Sequence, residues 1–245
     1  MVGVVGPLAT GWALTTLGPQ IALNATAVVL VLAALPILWT PNVAVVARVP
    51  GALEASKAGL VLYALDGWFA VPYVFVWQIA LFLSLGESFA AFGGAMALSA
   101  LVGALSGLVL GRLIDAGHGA RAVGIAFTAA TVVTMLRALS YGNAPFAVIA
   151  NACGALVTCL YVPALGTAVY NQAKCAPCPL RFHIAAEAGW DIGGGSCALI
   201  AAGLLAAGVP FGACILLSLL GVGALFLMLR RYYREPMPTG HSITA

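Results

Sequence analysis

Apolar residues run almost unbroken for about twenty positions at a time along this chain, separated by short clusters of Gly, Pro, Asn and charged residues. Membrane strands would be runs of about ten residues alternating apolar and polar. These runs are twice that length and do not alternate, so they predict helices, and about 20 apolar residues are enough for a helix to cross a bilayer. Eight segments follow, at 1–17, 19–39, 59–84, 88–112, 121–141, 145–169, 182–208 and 209–230. The first is short. Its neighbour starts after only "LGPQ", which makes residues 1–39 a tight helical hairpin. The one long connector, 40–58, holds Pro41, Pro50 and Gly51 with Arg48, Glu54 and Lys57, a composition that suits a linker better than a helix. The expected organisation is therefore a hairpin over 1–39, a linker over 40–58, a six-helix bundle over 59–234 and a tail over 235–245.

Composition strengthens this reading. Charged residues make up 7% of the chain and hydrophobic ones 63%, with a mean hydropathy of +1.09. Soluble domains carry about 25% charge, and a protein of 24.8 kDa cannot hide so much apolar surface from water. The expected class is an all-α integral membrane protein of about eight transmembrane helices, with the lipid bilayer as its solvent. The net charge of +3 does not point to nucleic acid, because the basic residues are dispersed and the longest run is Arg230-Arg231.

The placement of charge sets orientation. Of the ten Lys and Arg residues, nine fall in alternate connectors or flank them: Arg48, Lys57, Arg112, Arg121, Lys174, Arg181, Arg230, Arg231 and Arg234. The opposite loops, around "TLGPQ", "LGES", "YGNAP" and "AAGVP", hold none. Cytoplasmic loops carry the excess of Lys and Arg. Both chain ends and the linker are thus expected on the cytoplasmic side of an inner or plasma membrane. The tenth basic residue, Arg137, lies inside a segment and is expected to pair with Glu87 near the outer surface.

One connector concentrates charge. "GRLIDAGHGAR", Gly111 to Arg121, places Asp115 four residues after Gly111, then Gly119 and Arg121. This turn resembles the helix 2–3 and 8–9 loops of the major facilitator superfamily, although Ala116 stands where an arginine is usual and Gly119 comes one residue late. "GVVGPLATGW" adds Gly6, Pro7 and Gly11, similar to the Gly-Pro-x-x-Gly pattern of helix 5 in that superfamily's antiporters, with the last glycine displaced by one. The layout is that of helices 5 to 12. The resemblance implies a C-terminal six-helix bundle preceded by a hairpin, a chain without the first four helices, and a function that needs them. It further implies secondary active transport of a small molecule by alternating access, proton-coupled efflux being one form, with no cofactor and no enzymatic activity. In this reading Gly111, Asp115, Gly119 and Arg121 form the gating motif.

Charged side chains within a bilayer are costly, so each asks for a reason. Asp66, Tyr73 and Trp77 share one face of the third segment. Asn151, Thr158 and Tyr161 make a polar stripe on the sixth, and Glu187 and Asp191 stand one turn apart beside Trp190 on the seventh. Two carboxyls at that spacing repel, which favours a proton on one of them; Asp191 is the expected carrier. The substrate and proton pathway is thus expected to use Asp66, Tyr73, Trp77, Asn151, Tyr161, Glu187, Trp190 and Asp191. Two other classes stay open: a non-transporting partner or remnant, and a membrane-embedded enzyme using Glu187, Asp191 and His183. Cys175 and Cys178 form a lone C-x-x-C without a second pair, so no metal is expected. Small residues recur every fourth position at Ala95, Ser99, Gly103, Gly107 and Gly111, and again at Gly189 and Gly193, as surfaces for close helix packing.

Overall fold

The computed structural model describes residues 2–41, 48–114 and 119–234. Among them the regular structure is entirely helical: α1 (Val2–Thr16), α2 (Pro19–Ala33) with a 3-10 turn at Leu35–Trp39, α3 (Ala52–Ala70), a π-helical segment (Val71–Val76), α4 (Trp77–Ser84), α5 (Phe89–Ile114), α6 (Gly119–Ser140), α7 (Ala144–Cys175), α8 (Pro179–Ala206), α9 (Phe211–Leu216) and α10 (Ser218–Tyr232). Seven helical runs are long and apolar enough to cross a membrane, and α1, at 15 residues, is the short one. Large apolar side chains such as Leu108, Leu139, Leu199 and Leu227 cover the outside, which is the surface a bilayer solvates. The chain is a multi-pass helical membrane protein.

Besides the sixth segment, which stays helical to Cys175 where the pattern ends it at 169, two differences from the sequence pattern bear on the packing. The third helix begins at Ala52, not at 59, so the last residues of the expected linker are helical. Gly51 sits at φ 75, a left-handed conformation that glycine adopts without cost. Glu54 occupies the first turn, where free helix N–H groups favour negative charge, and Lys57 meets it at 2.6 Å. These first two turns carry exposed charge, so hydropathy alone does not register them. The last segment is two helices, broken at Leu217, whose carbonyl accepts the Trp68 indole N–H at 3.1 Å.

The closest helix pair is α3 with α8, and glycines explain why. A Cβ added at Gly189 would lie 2.2 Å from the Leu60 carbonyl oxygen, and one at Gly193 would lie 1.9 Å from that of Ala64. Gly67 reciprocates, its added Cβ falling 2.2 Å from the Trp190 carbonyl. Lipid supplies no hydrophobic drive for helix association, so such backbone approach is the main source of packing energy. The first small-residue stripe faces α7 more loosely, through side chains: Ser99 donates to the Asn151 carbonyl at 3.1 Å, and the Cys159 thiol reaches the Gly103 carbonyl at 3.4 Å. Gly193→Val is therefore expected to lower the melting temperature in detergent, by overpacking worth about 1–3 kcal/mol. Gly195→Val, at an exposed glycine with open space around it, is the control expected to melt with the wild type.

The pairings have an internal order. Let one unit comprise α3 with its continuation α4, then α5 and α6; let the other comprise α7, α8 and the α9–α10 pair. α3 packs on α8 and α7 packs on α5; α6 packs on α7 and α10 packs on α3; α6 meets α9 and α10. Exchanging the units, element for element, leaves this set of pairings unchanged. α1 packs on α5 outside that scheme, and α2 packs chiefly on α1. The buried core divides into two apolar clusters that meet at the π segment, with Tyr73 in one and Val71 and Trp77 in the other.

Candidate functional site

The π segment shapes the site. Pro72 has no N–H to continue the helical ladder, and the Trp77 N–H reaches back five residues to the Pro72 carbonyl. Such single-turn π segments are frequent at functional sites. Tyr73 and Trp77 project from it into the bundle, 5% and 1% exposed. Between their rings and α7 lies Arg137, itself 5% exposed, with its guanidinium carbon 4.1 Å from the Tyr73 ring centre and 5.1 Å from that of Trp77. Its Nη1 donates to the Tyr73 carbonyl at 2.6 Å, while its Nε is buried with no hydrogen-bond partner. The Nη2 end of the guanidinium lies against Gly154, where an added Cβ would come 1.8 Å from Nη2. No larger residue fits there unless the guanidinium moves.

The expected pairing of Arg137 with Glu87 does not occur. Glu87 sits exposed in the turn after α4, and Arg137 makes no ion pair among the described residues. Although Arg137 is one turn from the end of α6, its side chain turns inward over the aromatic pair. The side chains that act electrostatically on it are Tyr73 and Cys153, neither of them a carboxylate. Burying such a cation costs several kcal/mol. Stacking on the rings returns up to about 2 kcal/mol when desolvated, and a hydrogen bond from a charged donor about 1.5–3 kcal/mol. The charge is thus solvated by the protein but not neutralised.

Asn151 fixes the opposite wall. Its Oδ1 accepts from the Trp77 indole at 3.0 Å, and its Nδ2 donates to the Ala95 carbonyl at 3.1 Å. One buried amide thereby ties α4, α5 and α7 together. The space these groups enclose is a cavity of about 380 Å³ lined by Tyr73, Trp77, Gln78, Met96, Ser99, Arg137, Asn151 and Thr158, with Gly3 and Pro7 of α1 closing one side. Its walls are mainly apolar and its one ionised group is the guanidinium.

A second polar group lies two helical turns nearer the start of α3. Asp66 accepts hydrogen bonds from the Tyr161 hydroxyl on α7 and from the Trp190 indole on α8. Glu187 is close enough for the two carboxylate charges to repel, and Tyr63 is within electrostatic reach of both acids. Phe69 stands between the two groups, its ring centre 4.7 Å from that of Tyr73 and 5.2 Å from that of Tyr161. An acid and a cation thus share one buried aromatic array without touching.

The residues expected from sequence therefore divide. Tyr73, Trp77 and Asn151 join at the cavity; Asp66, Tyr161 and Trp190 join at the acid. Glu187 and Asp191 lie on the exposed side of α8, and His183 meets the Tyr170 and Phe182 rings edge-on. Of the turn motif, Gly111 and Gly119 fall at the ends of α5 and α6 and Arg121 in the first turn of α6, while Asp115 lies outside the described residues. In the α1 motif, Gly11 is a crossing point: its added Cβ would lie 2.7 Å from the Phe89 carbonyl of α5, and Gly93 answers against the Pro7 carbonyl at 2.6 Å. Gly6 faces open space. Among the described residues, no three of His, Cys, Asp and Glu come together as a metal site. The sequence pattern assigned Arg137 to an outer ion pair and gave no sign of Gly154 or Gln78 at the cavity. The available signal was that Arg137 alone among the basic residues stands off the connectors.

Fold and site together define a polytopic helical membrane protein with a basic, aromatic-walled cavity open on one side. No protein-family model matches the chain, and none of the curated proteins matches it.

Proposed function

We propose that this chain is a secondary transporter that moves a small molecule across a cell membrane by alternating access, with an arrangement like that of the major facilitator superfamily. The observation that supports this most is the exchange relation between the two three-helix units, with the basic cavity at their junction. Three crossings are an odd number, so the second unit traverses the bilayer in the opposite sense to the first. Inverted repeats of this kind, nested as three plus three, are how many carriers build a site reachable from either side. The α1–α5 crossing through Gly11 and Gly93 adds a helix of the N-terminal hairpin to the cavity wall.

Flux tests the reading. The purified protein in vesicles should show saturable uptake that accelerates when the opposite side is preloaded with substrate. Folded protein without flux would assign the chain a partner role, and turnover in detergent without any gradient would favour the enzyme.

Topology follows from the same proposal. Both chain ends and the 40–58 connector face the cytoplasm, because the nine connector cations lie on that side. Single cysteines at 48 and 234 should resist an impermeant thiol reagent in intact cells, and one at 143 should react. The reverse pattern would invert the orientation.

For coupling, the buried arrangement favours Asp66 over the exposed Asp191 as the proton carrier. Asp66 is held by two donors from two other helices, with a second carboxylate nearby and no cation in the cluster.

A further inference from the structure

We propose that the cavity binds a small organic anion carrying a single negative charge, its carboxylate against Arg137 and its apolar body along Trp77 and Met96. The reading deepens the transport proposal but stands on different observations. Arg137 is 5% exposed, on the cavity wall, and among the described residues its Nε has no partner and no acid neutralises it. Intramembrane ionisable residues pair within the protein or mark a substrate or ion pathway; Arg137 has a backbone carbonyl but no acid among the described residues, so an anion from outside is the counter-charge that fits it.

The other polar groups narrow the choice. The Asn151 amide is engaged, its oxygen by Trp77 and its nitrogen by the Ala95 carbonyl and the Met96 sulfur. The Ser99 and Thr158 hydroxyls donate to the Asn151 and Gly154 carbonyls. The Gln78 side chain makes no hydrogen bond among the described residues and lines the same space. The free polar capacity is thus one guanidinium and one amide, enough for one carboxylate. A dianion would leave its second charge unpaired in an apolar enclosure, which is costly. The volume of about 380 Å³ sits at the small end of the range for small-molecule pockets, and the apolar walls call for a hydrocarbon body.

Binding can be measured on the detergent-purified full chain, independently of flux, by thermal stabilisation and quenching of tryptophan fluorescence. The probes are acetate, hexanoate and benzoate, with hexanamide and benzamide as neutral isosteres and succinate and inorganic phosphate as the multiply charged arms. Hexanoate or benzoate should bind saturably and at least tenfold more tightly than its amide. Arg137→Gln should remove that preference, and Arg137→Lys should restore part of it. Gln78→Leu, which leaves the cation in place, should weaken hexanoate or benzoate severalfold and covers the case in which Arg137→Gln does not fold. Equal binding of acid and amide, no binding of any monocarboxylate, or undiminished preference in Arg137→Gln would overturn the proposal. Tighter binding of succinate or phosphate would overturn the single-charge assignment. Saturable binding with no vesicle uptake would leave the anion site standing and defeat transport; uptake of a neutral solute without anion binding would do the opposite.

Discussion

Asparagine in place of Asp66 is expected to abolish accumulation against a gradient while exchange across the membrane continues at close to the wild-type rate. The carboxylate accepts from Tyr161 and Trp190, which come from α7 and α8. It therefore sits where three helices from both units meet, and any relative movement of the units must alter its donors. A carboxyl in that position can hold a proton in one arrangement and release it in the other, and Asn keeps the shape without the proton. Exchange needs no net proton movement, so it survives. The measurement is proton-driven uptake against counterflow in vesicles, run beside Asp191→Asn. Uphill uptake that persists in Asp66→Asn with unchanged pH dependence would remove Asp66 from coupling. Loss of coupling in Asp191→Asn instead would return the carrier to the exposed face of α8. Tyr161→Phe, which deletes one donor and keeps the acid, should shift the pH dependence without abolishing uptake.

The helices were legible in the sequence because length and apolarity are what a bilayer selects, and eight apolar runs became eight helical stretches near the expected bounds. Small-residue spacing was legible too, since backbone approach at Gly189 and Gly193 depends on a missing side chain that the sequence states outright. The site was only half legible. Helical spacing put Tyr73 and Trp77 on one face, but it could not say that a π segment lies between Ala70 and Trp77 and alters the turn on which both stand. Nor could it say where Arg137 points. Its nearness to the end of a segment suggested the outer acid Glu87, whereas stacking on Tyr73 and Trp77 holds it inside. That preference is made by three helices distant in sequence, so no local pattern announces it. Glu187 and Asp191 show the converse: their spacing is conspicuous in the sequence, yet the face carrying them is exposed.

Gly154 is the position where the smallest substitution should have the largest effect on the cavity. An alanine there would place its methyl carbon 1.8 Å from Arg137 Nη2 and 2.8 Å from the guanidinium carbon. The guanidinium cannot retreat far, because Tyr73 and Trp77 lie against it and its Nη1 is tied to the Tyr73 carbonyl. It must leave the stack. Gly154→Ala is expected to weaken binding of a monocarboxylate probe at least tenfold, equivalent to about 1.4 kcal/mol, and to cut flux correspondingly. Gly166→Ala on the same helix meets open space and should match the wild type. The cause can be isolated by a double-mutant cycle read in thermal stability. If alanine acts by displacing the guanidinium, it should cost much less in an Arg137→Gln background, whose side chain ends short of Gly154, giving a coupling of roughly 1–3 kcal/mol. Additive losses would mean that Gly154 serves helix packing alone, and that the guanidinium is not what its missing side chain accommodates.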